Sequence, residues 1–452
     1  MTMAPVNETV DAATGGAARP SASGLPRLLP LVPGVPEDLR THLARYGRPP
    51  LGHSRGLLIN AIQEAGLTGR GGAAFPVYRK LAIVAMARGR KVIVANGAES
   101  EPASHKDALL LRAVPNLVLD GLQLAAEAIG ASEAHLYLHP GVSPEITRAL
   151  AQRTAAGLDW IGVTITEAPP RFLAGQESAL VNRLGGGPAV PTFVPPRVSE
   201  RGLGGAPTLV QNVETLAHLA LIARYGPRWF RTLGTAQEPG TMLTTVHTQH
   251  GTQIVEAEIG APLQTVINLD HAQAVLIGGF HGTWLPMPQA ATLTLDNAAL
   301  KTHGAALGAG VIAALPADRC GLAEAARVTR YLAAESAGQF GQGGGHPRQP
   351  VEAGPALADR LGGQVAGDPG RLDQAAPVDG QRRDHAGPEG GAVRLQRRVV
   401  EGERADGVDG QPGAVEAADE DRVGVLLRYQ VSQRGADLGL DDLRAAVLAP
   451  GG

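Results

Sequence analysis

The chain has 452 residues, a formal net charge of −3 and a hydrophobic fraction of 44%, which allows two or three domains with a sizeable core and gives no electrostatic reason to expect nucleic acid or an anionic membrane as partner. Its single cysteine, Cys320, can neither close an internal disulfide nor hold an iron–sulfur cluster. No run approaches the roughly 20 apolar residues of a membrane helix, and no basic stretch followed by an apolar core opens the chain; the expectation is a cytoplasmic protein without direct membrane insertion, peripheral to a membrane only through partner subunits.

Residues 1 to about 35, rich in Ala, Gly, Pro, Ser and Thr without periodicity, read as a disordered lead-in. Pro36 to Tyr46 opens the first helix. Gly56 to Ala65 carries Leu57, Leu58, Ala61 and Ile62 at helical spacing, and Gly66 is placed to cap it. The chain then enters Gly69-Arg70-Gly71-Gly72-Ala73-Ala74-Phe75-Pro76. Three glycines in four positions let the backbone reach positive φ and bring bare N–H groups to a phosphate or a flavin edge, although a lone glycine-rich turn is also ordinary punctuation. Val92 to Ala95 reads as a buried parallel strand. Asn96, Glu99 and Glu101 follow at its carboxyl end, where ligands of open α/β sheets bind.

Ala108 to Ala131 is expected as one long apolar-faced helix, kinked or restarted at Pro115. A strand at Ala134 to Leu138, a helix at Ser143 to Ala155 and a strand at Ile161 to Ala168 complete an alternation that favours a parallel sheet with right-handed crossovers. Strands at Met242 to Val246, Ile254 to Ile259 and Ala274 to Gly279, with a short helix at Leu263 to Ile267, suit a small β-grasp module, and Gly278, Gly279 and Gly282 suit a tight turn. His247 and His250 lack a carboxylate partner and an H-E-x-x-H pattern, so no metal site is expected. Gly321 to Gly338 reads as a helix. From Gly341 onward there is no Phe, Trp, Ile, Met, Lys, Asn or Thr, and Tyr429 is the only aromatic residue. Such a composition cannot easily offset its conformational entropy by apolar burial, so the tail 341–452 is expected to be mostly disordered.

Several of these segments together resemble the NADH-oxidising flavoprotein subunit of respiratory complex I and its relatives. The first motif of that family, G-R-G-G-A-G-F-P-x-x-x-K, is matched by the glycine loop and Lys80; the second, N-A-D-E-x-E-P-x-x-x-K-D, by Asn96, Glu99, Glu101, Pro102, Lys106 and Asp107. Ala174 to Leu180 is similar to its G-E-E-x-A-L segment, Pro191 to Pro196 to its proline-rich stretch, and Pro207 to Leu216 to its P-T-x-x-N-N-V-E-T-L. Tyr225 to Thr232 resembles the short helix leading out of its flavin domain. The resemblance covers about residues 50 to 340. It implies an α/β fold: a Rossmann-like FMN- and NADH-binding domain over 36–232, a soluble-ligand-binding β-grasp domain over 233–300, and a remnant of a helical iron–sulfur domain over 301–340.

Carried over residue by residue, the resemblance implies that Gly69, Arg70, Gly71, Gly72, Lys80, Asn96, Glu99, Gly175, Glu177, Gln211, Asn212 and Thr215 hold FMN, with Lys80 offering charge to the phosphate or to the reduced ring. Phe75, Glu101 and Glu177 would shape the NADH side. No protein acid or base is needed for hydride transfer, because the flavin is the acceptor. Without the motifs, Glu99, Glu101 and Glu177 would read as solvated carboxylates and Lys80 as a snorkelling lysine.

Departures from the family are equally specific. Ala98 stands for its aspartate, Val194 for a lysine and Arg197 for a phenylalanine, while Ala337, Phe340 and Gly343 occupy its cluster-cysteine positions, so a 4Fe-4S cluster is not expected. The abrupt change beside those positions points to a change of reading frame near Gln339. Asn96-Gly97-Ala98-Glu99 and Val210-Gln211-Asn212-Val213 also resemble the flavoprotein subunit of ion-pumping ferredoxin:NAD oxidoreductases. The implied function is an FMN-dependent NADH oxidoreductase subunit delivering electrons to a partner iron–sulfur protein or quinone-linked complex; the alternative is a non-catalytic flavin-binding or assembly module of the same fold.

Overall fold

The computed structural model describes residues 25–335 apart from 31, 33, 53, 54 and 193, together with two short strands, Val393–Gln396 and Arg428–Val431, paired antiparallel. Most of the lead-in, the rest of the tail and the cysteine-replacing positions lie outside the described residues.

The first unit starts with α1 (Leu39–Tyr46), whose cap Asp38 accepts from Thr41 N at 2.7 Å, and continues through α2 (Arg55–Ala65) and α3 (Val77–Met86) into β1 (Val92–Gly97). The single long helix expected over 108–131 is two, α4 (Lys106–Ala113) and α5 (Pro115–Ile129), bent by 97°. Pro115 has no N–H and its ring forbids helical geometry at Val114, which sits at φ −138 and ψ 52, so the chain turns and restarts with proline in the first turn. Every residue of α5 except Glu127 is buried, so this apolar helix is filling the core. Among the described residues no single helix is long and apolar enough to cross a membrane.

Then come β2 (Glu133–Leu138), α6 (Ser143–Ala155), β3 (Val163–Glu167), α7 (Glu177–Leu184), β4 (Thr208–Asn212) and α8 (Val213–Phe230). The motif run 207–216 is thus a strand passing directly into a helix. Gly226 (φ 83, ψ 167) and Pro227 break α8, which leaves the short helical exit expected near Tyr225. The sheet order is β3-β2-β1-β4, all parallel. From β1 the chain winds outward through β2 and β3, then returns to place β4 on the other side of β1. Strand order therefore reverses between β1 and β4, and a crevice opens beyond their carboxyl ends.

The second unit contains β5 (Thr241–Thr248), β6 (Gly251–Glu258), α9 (Leu263–Val266), β7 (Ala272–Ile277), β8 (Thr283–Pro286), α10 (Asn297–Lys301) and β9 (Val311–Pro316). Its mixed sheet runs β6-β5-β9-β7-β8, with β5 and β9 parallel and the other neighbours antiparallel. Sequence periodicity gives β5, β6 and β7 but neither the four-residue β8 nor β9. The Gly278–Gly282 turn is as tight as expected, since a Cβ on Gly282 would lie 2.0 Å from Ile277 O. α11 (Gly321–Ala334) follows, and each sheet has its own buried apolar cluster.

Candidate functional site

The glycine loop is closed at its base. Thr68 bridges Pro76, Gly69 N donates to Phe75 O at 2.9 Å, and Val77 N donates to Leu67 O at 3.0 Å. Arg70 N donates to Thr215 Oγ1 at 2.9 Å, which ties the loop to the first turn of α8. From that anchor the tip, Gly71 to Ala74, is exposed, and no acceptor among the described residues takes its four amide hydrogens. A Cβ on Gly71 would stand 3.3 Å from Asn212 Cβ, so the loop lies on the N-terminus of α8. Ala74, at φ 53, adopts the left-handed geometry that the motif's glycine takes more easily.

β1 and β4 meet this loop with their last residues. Asn96 and Asn212 are paired in register across the two strands at the strand-order reversal. Asn96 Nδ2 donates to Gly175 O at 2.8 Å, and its Oδ1 accepts from Ala98 N at 3.2 Å. Gly175 packs so closely that a Cβ would lie 2.6 Å from Ala98 O and from Ser100 Oγ. Asn212 caps α8 by accepting from Glu214 N at 2.9 Å and donates to Asp107 Oδ2 at 2.6 Å. Beside it, buried Gln211 presents an Nε2 with no hydrogen-bond partner among the described residues.

Three expected ligand residues turn their side chains elsewhere. The Arg70 guanidinium is buried and donates to Thr241 O at 3.2 Å, Pro239 O at 3.2 Å and Thr68 Oγ1 at 2.8 Å, so its charge serves the connection into β5 rather than a cofactor. Glu99 takes the amides of Asp107 (3.1 Å) and Ala108 (3.3 Å) and the Ser104 hydroxyl, capping α4. Burial, and then the neighbouring Asp107 carboxylate, push its pKa up. Glu101, expected on the NADH side, accepts from Phe280 N at 3.0 Å in the second unit, and burial raises its pKa to about 7.

The remaining substrate-side residues line a solvent-open cleft over the β4 face, beside the glycine loop. Phe75, Lys80 and Glu177 are in its wall, with Lys80 Nζ 3.5 Å from Glu177 Oε2 and 5.8 Å from the Phe75 ring centroid. Gln176 joins them as the cap of α7, accepting from Ala179 N at 2.9 Å.

Sequence reasoning gave no role to the buried cluster beneath the crevice. Lys106 Nζ donates to Asp107 Oδ1 and Glu214 Oε2, both at 2.8 Å, and Glu214 also accepts from Leu243 N of β5 at 2.8 Å. Burial pulls the lysine pKa down, but the surrounding carboxylates outweigh it and hold the ammonium charged. The signal was present in the Lys106-Asp107 pair and in Glu214, all inside the matched motifs.

A family described as the Nuo51 FMN-binding domain matches residues 62–221. The chain is similar to the NADH-quinone oxidoreductase F subunit of Rickettsia bellii, with 30% identity over 308 residues covering 62% of this chain and 73% of the relative. Similarity to the F subunit of the Streptomyces coelicolor enzyme is 30% over 303 residues, covering 62% and 67%. Among solved structures it resembles a chain of NAD+-reducing [NiFe]-hydrogenase in the H2-reduced state, with TM-score 0.57 and 30% identity over 64% of this chain and 51% of that one. The air-oxidised form gives TM-score 0.62 and 29% identity over 70% and 55%. The chain therefore spans about half the length of the hydrogenase chains it matches.

Proposed function

This chain belongs to the family of NADH-quinone oxidoreductase F subunits, and from that premise we propose that it binds FMN, takes hydride from NADH, and passes electrons to an iron–sulfur protein or quinone-linked complex formed by partner subunits. The observation that carries this reading is the in-register pair Asn96 and Asn212 at the strand-order reversal, with Gly71 resting on Asn212. The local chemistry fits a flavin phosphate. Four exposed amides, without an acceptor among the described residues, stand at the N-terminus of α8, where the helix dipole favours an anion, and Gln211 Nε2 is a buried donor awaiting an acceptor.

When bound, FMN supplies the hydride acceptor and the means of releasing electrons singly. Gly69, Gly71, Gly72, Asn96, Gly175, Gln211 and Asn212 would hold it, with Thr215 fixing the loop through Arg70 N. Phe75, Lys80 and Glu177 line the cleft in which the dinucleotide is oriented. With Cys320 its only cysteine, the chain delivers electrons to a centre held by a partner.

The purified full chain should retain or take up FMN, and its visible flavin absorbance should bleach anaerobically on adding NADH. Flavin that is bound but indifferent to NADH would favour a non-catalytic module. Failure to bind FMN would remove the cofactor assignment altogether.

A further inference from the structure

Resting on the FMN-binding reading, we propose that Glu335, just past the end of α11, is a positioning residue for the flavin site: it holds, from an element distant in the chain, the turn that carries Gly175. That turn, the 3₁₀ segment Phe172–Gly175, follows Arg171 without a side-chain cap, so its first amide has no acceptor within the segment. Glu335 supplies one. Phe172 N donates to its Oε2 at 3.0 Å across 163 positions of sequence. The helix grips the same turn through its rings: Tyr331 meets Phe172 edge to face with centroids 6.1 Å apart, and meets Phe280 of the second unit in the same way at 5.3 Å.

The turn leads straight into the site. Its last carbonyl, Gly175 O, accepts from Asn96 Nδ2 at 2.8 Å and so fixes the orientation of that amide. A Cβ on Gly175 would lie 2.6 Å from Ala98 O, so the turn and the end of β1 touch without slack, and a shift of one moves the other. Gln176 and Glu177, the next two residues, line the cleft. Arg171 Nε also stands 3.4 Å from Glu335 Oε2, but the arginine is exposed, and such a pair contributes little beside a hydrogen bond from a backbone amide to a carboxylate. The placement of the turn therefore depends on the acceptor oxygen of Glu335 rather than on its charge pair.

The test is fluorescence titration of the flavin-free full chain with FMN, which needs no turnover, alongside thermal melting of each variant. Glu335→Ala should weaken FMN binding by about tenfold, the effect of one hydrogen bond to a charged acceptor, and should melt within about 4 °C of the unsubstituted chain. Glu335→Gln keeps an acceptor for Phe172 N and should hold affinity to within about threefold, and Arg171→Ala, which removes only the ion pair, should change it by less than about twofold. Should Glu335→Ala fail to fold, Glu335→Asp, with the same charge on a shorter arm, should show the same loss of affinity. Full FMN affinity in whichever of these two folds, a loss in Glu335→Gln or Arg171→Ala as large as in Glu335→Ala, or a loss that appears only with a collapse in melting temperature would overturn the positioning role while leaving the proposed function standing. An unsubstituted chain that binds no FMN would overturn both.

Discussion

Glu101 shows how far a motif residue can depart from the role its pattern suggests. Its Oε2 accepts from Phe280 N, and a Cβ on Gly279 would lie 2.6 Å from the same oxygen, so the carboxyl is wedged under the turn after β7. Burial raises its pKa from 4.5 to about 7. Between those values the folded chain keeps a proton that the unfolded chain has released, so stability is greatest below pH 4.5 and falls as pH rises through about 7. Glu101→Gln keeps the amide acceptor without the charge. In urea unfolding, the wild type should lose roughly 2 kcal/mol more than this variant between pH 5 and pH 8; parallel pH profiles would show that Glu101 holds no such proton. Neither the wedge nor the proton is visible in the sequence, because Phe280 is 179 residues away. Gly71 and Gly175, by contrast, were singled out by the matched motifs, and the structure gives each a close neighbour, Asn212 Cβ for Gly71 and Ala98 O for Gly175.

At the scale of elements, the site depends on how α8 meets α5. A Cβ on Gly121 of α5 would fall 1.9 Å from Leu216 O of α8, so the helices touch backbone to backbone. The first turn of α8 carries Thr215, its cap is Asn212, and Glu214 holds Lys106. Gly121→Ala must push this turn away from the sheet. It should destabilise the protein by about 3 kcal/mol and weaken FMN binding measured by flavin fluorescence. Gly162→Ala, where nothing lies within 4 Å, should stay within about 0.5 kcal/mol of wild type. A Gly121→Ala protein as stable as the Gly162 control would mean that the two helices separate freely. The break at Pro115 was readable because proline acts locally. The central position of β9 was not, because a short apolar run does not reveal the strand it will pair with.

In the whole molecule, the second sheet clasps the loop that follows β1. His247 Nε2 donates to Ala103 O at 2.6 Å while its Nδ1 accepts from Thr252 Oγ1 at 2.8 Å; His105 N donates to Thr245 Oγ1 at 3.0 Å, and Leu243 N reaches Glu214. A histidine without any metal pattern thus acquires a positioning role. The composition change beside Ala337 and Phe340 belongs to this scale too: translation of the adjacent reading frames beyond Gln339 should reveal a C-x-x-C pattern, and its absence from them would refute the frame change. The sequence by itself determined the chemistry on offer at the crevice, because glycines, amides and a proline break act through local geometry and keep their meaning in one dimension. Tertiary structure alone decided which carboxylates line the open cleft and which bond to the protein's own backbone. Glu99 and Glu101 differ from Glu177 only in what packs against them, and that packing is set by contacts distant in the chain.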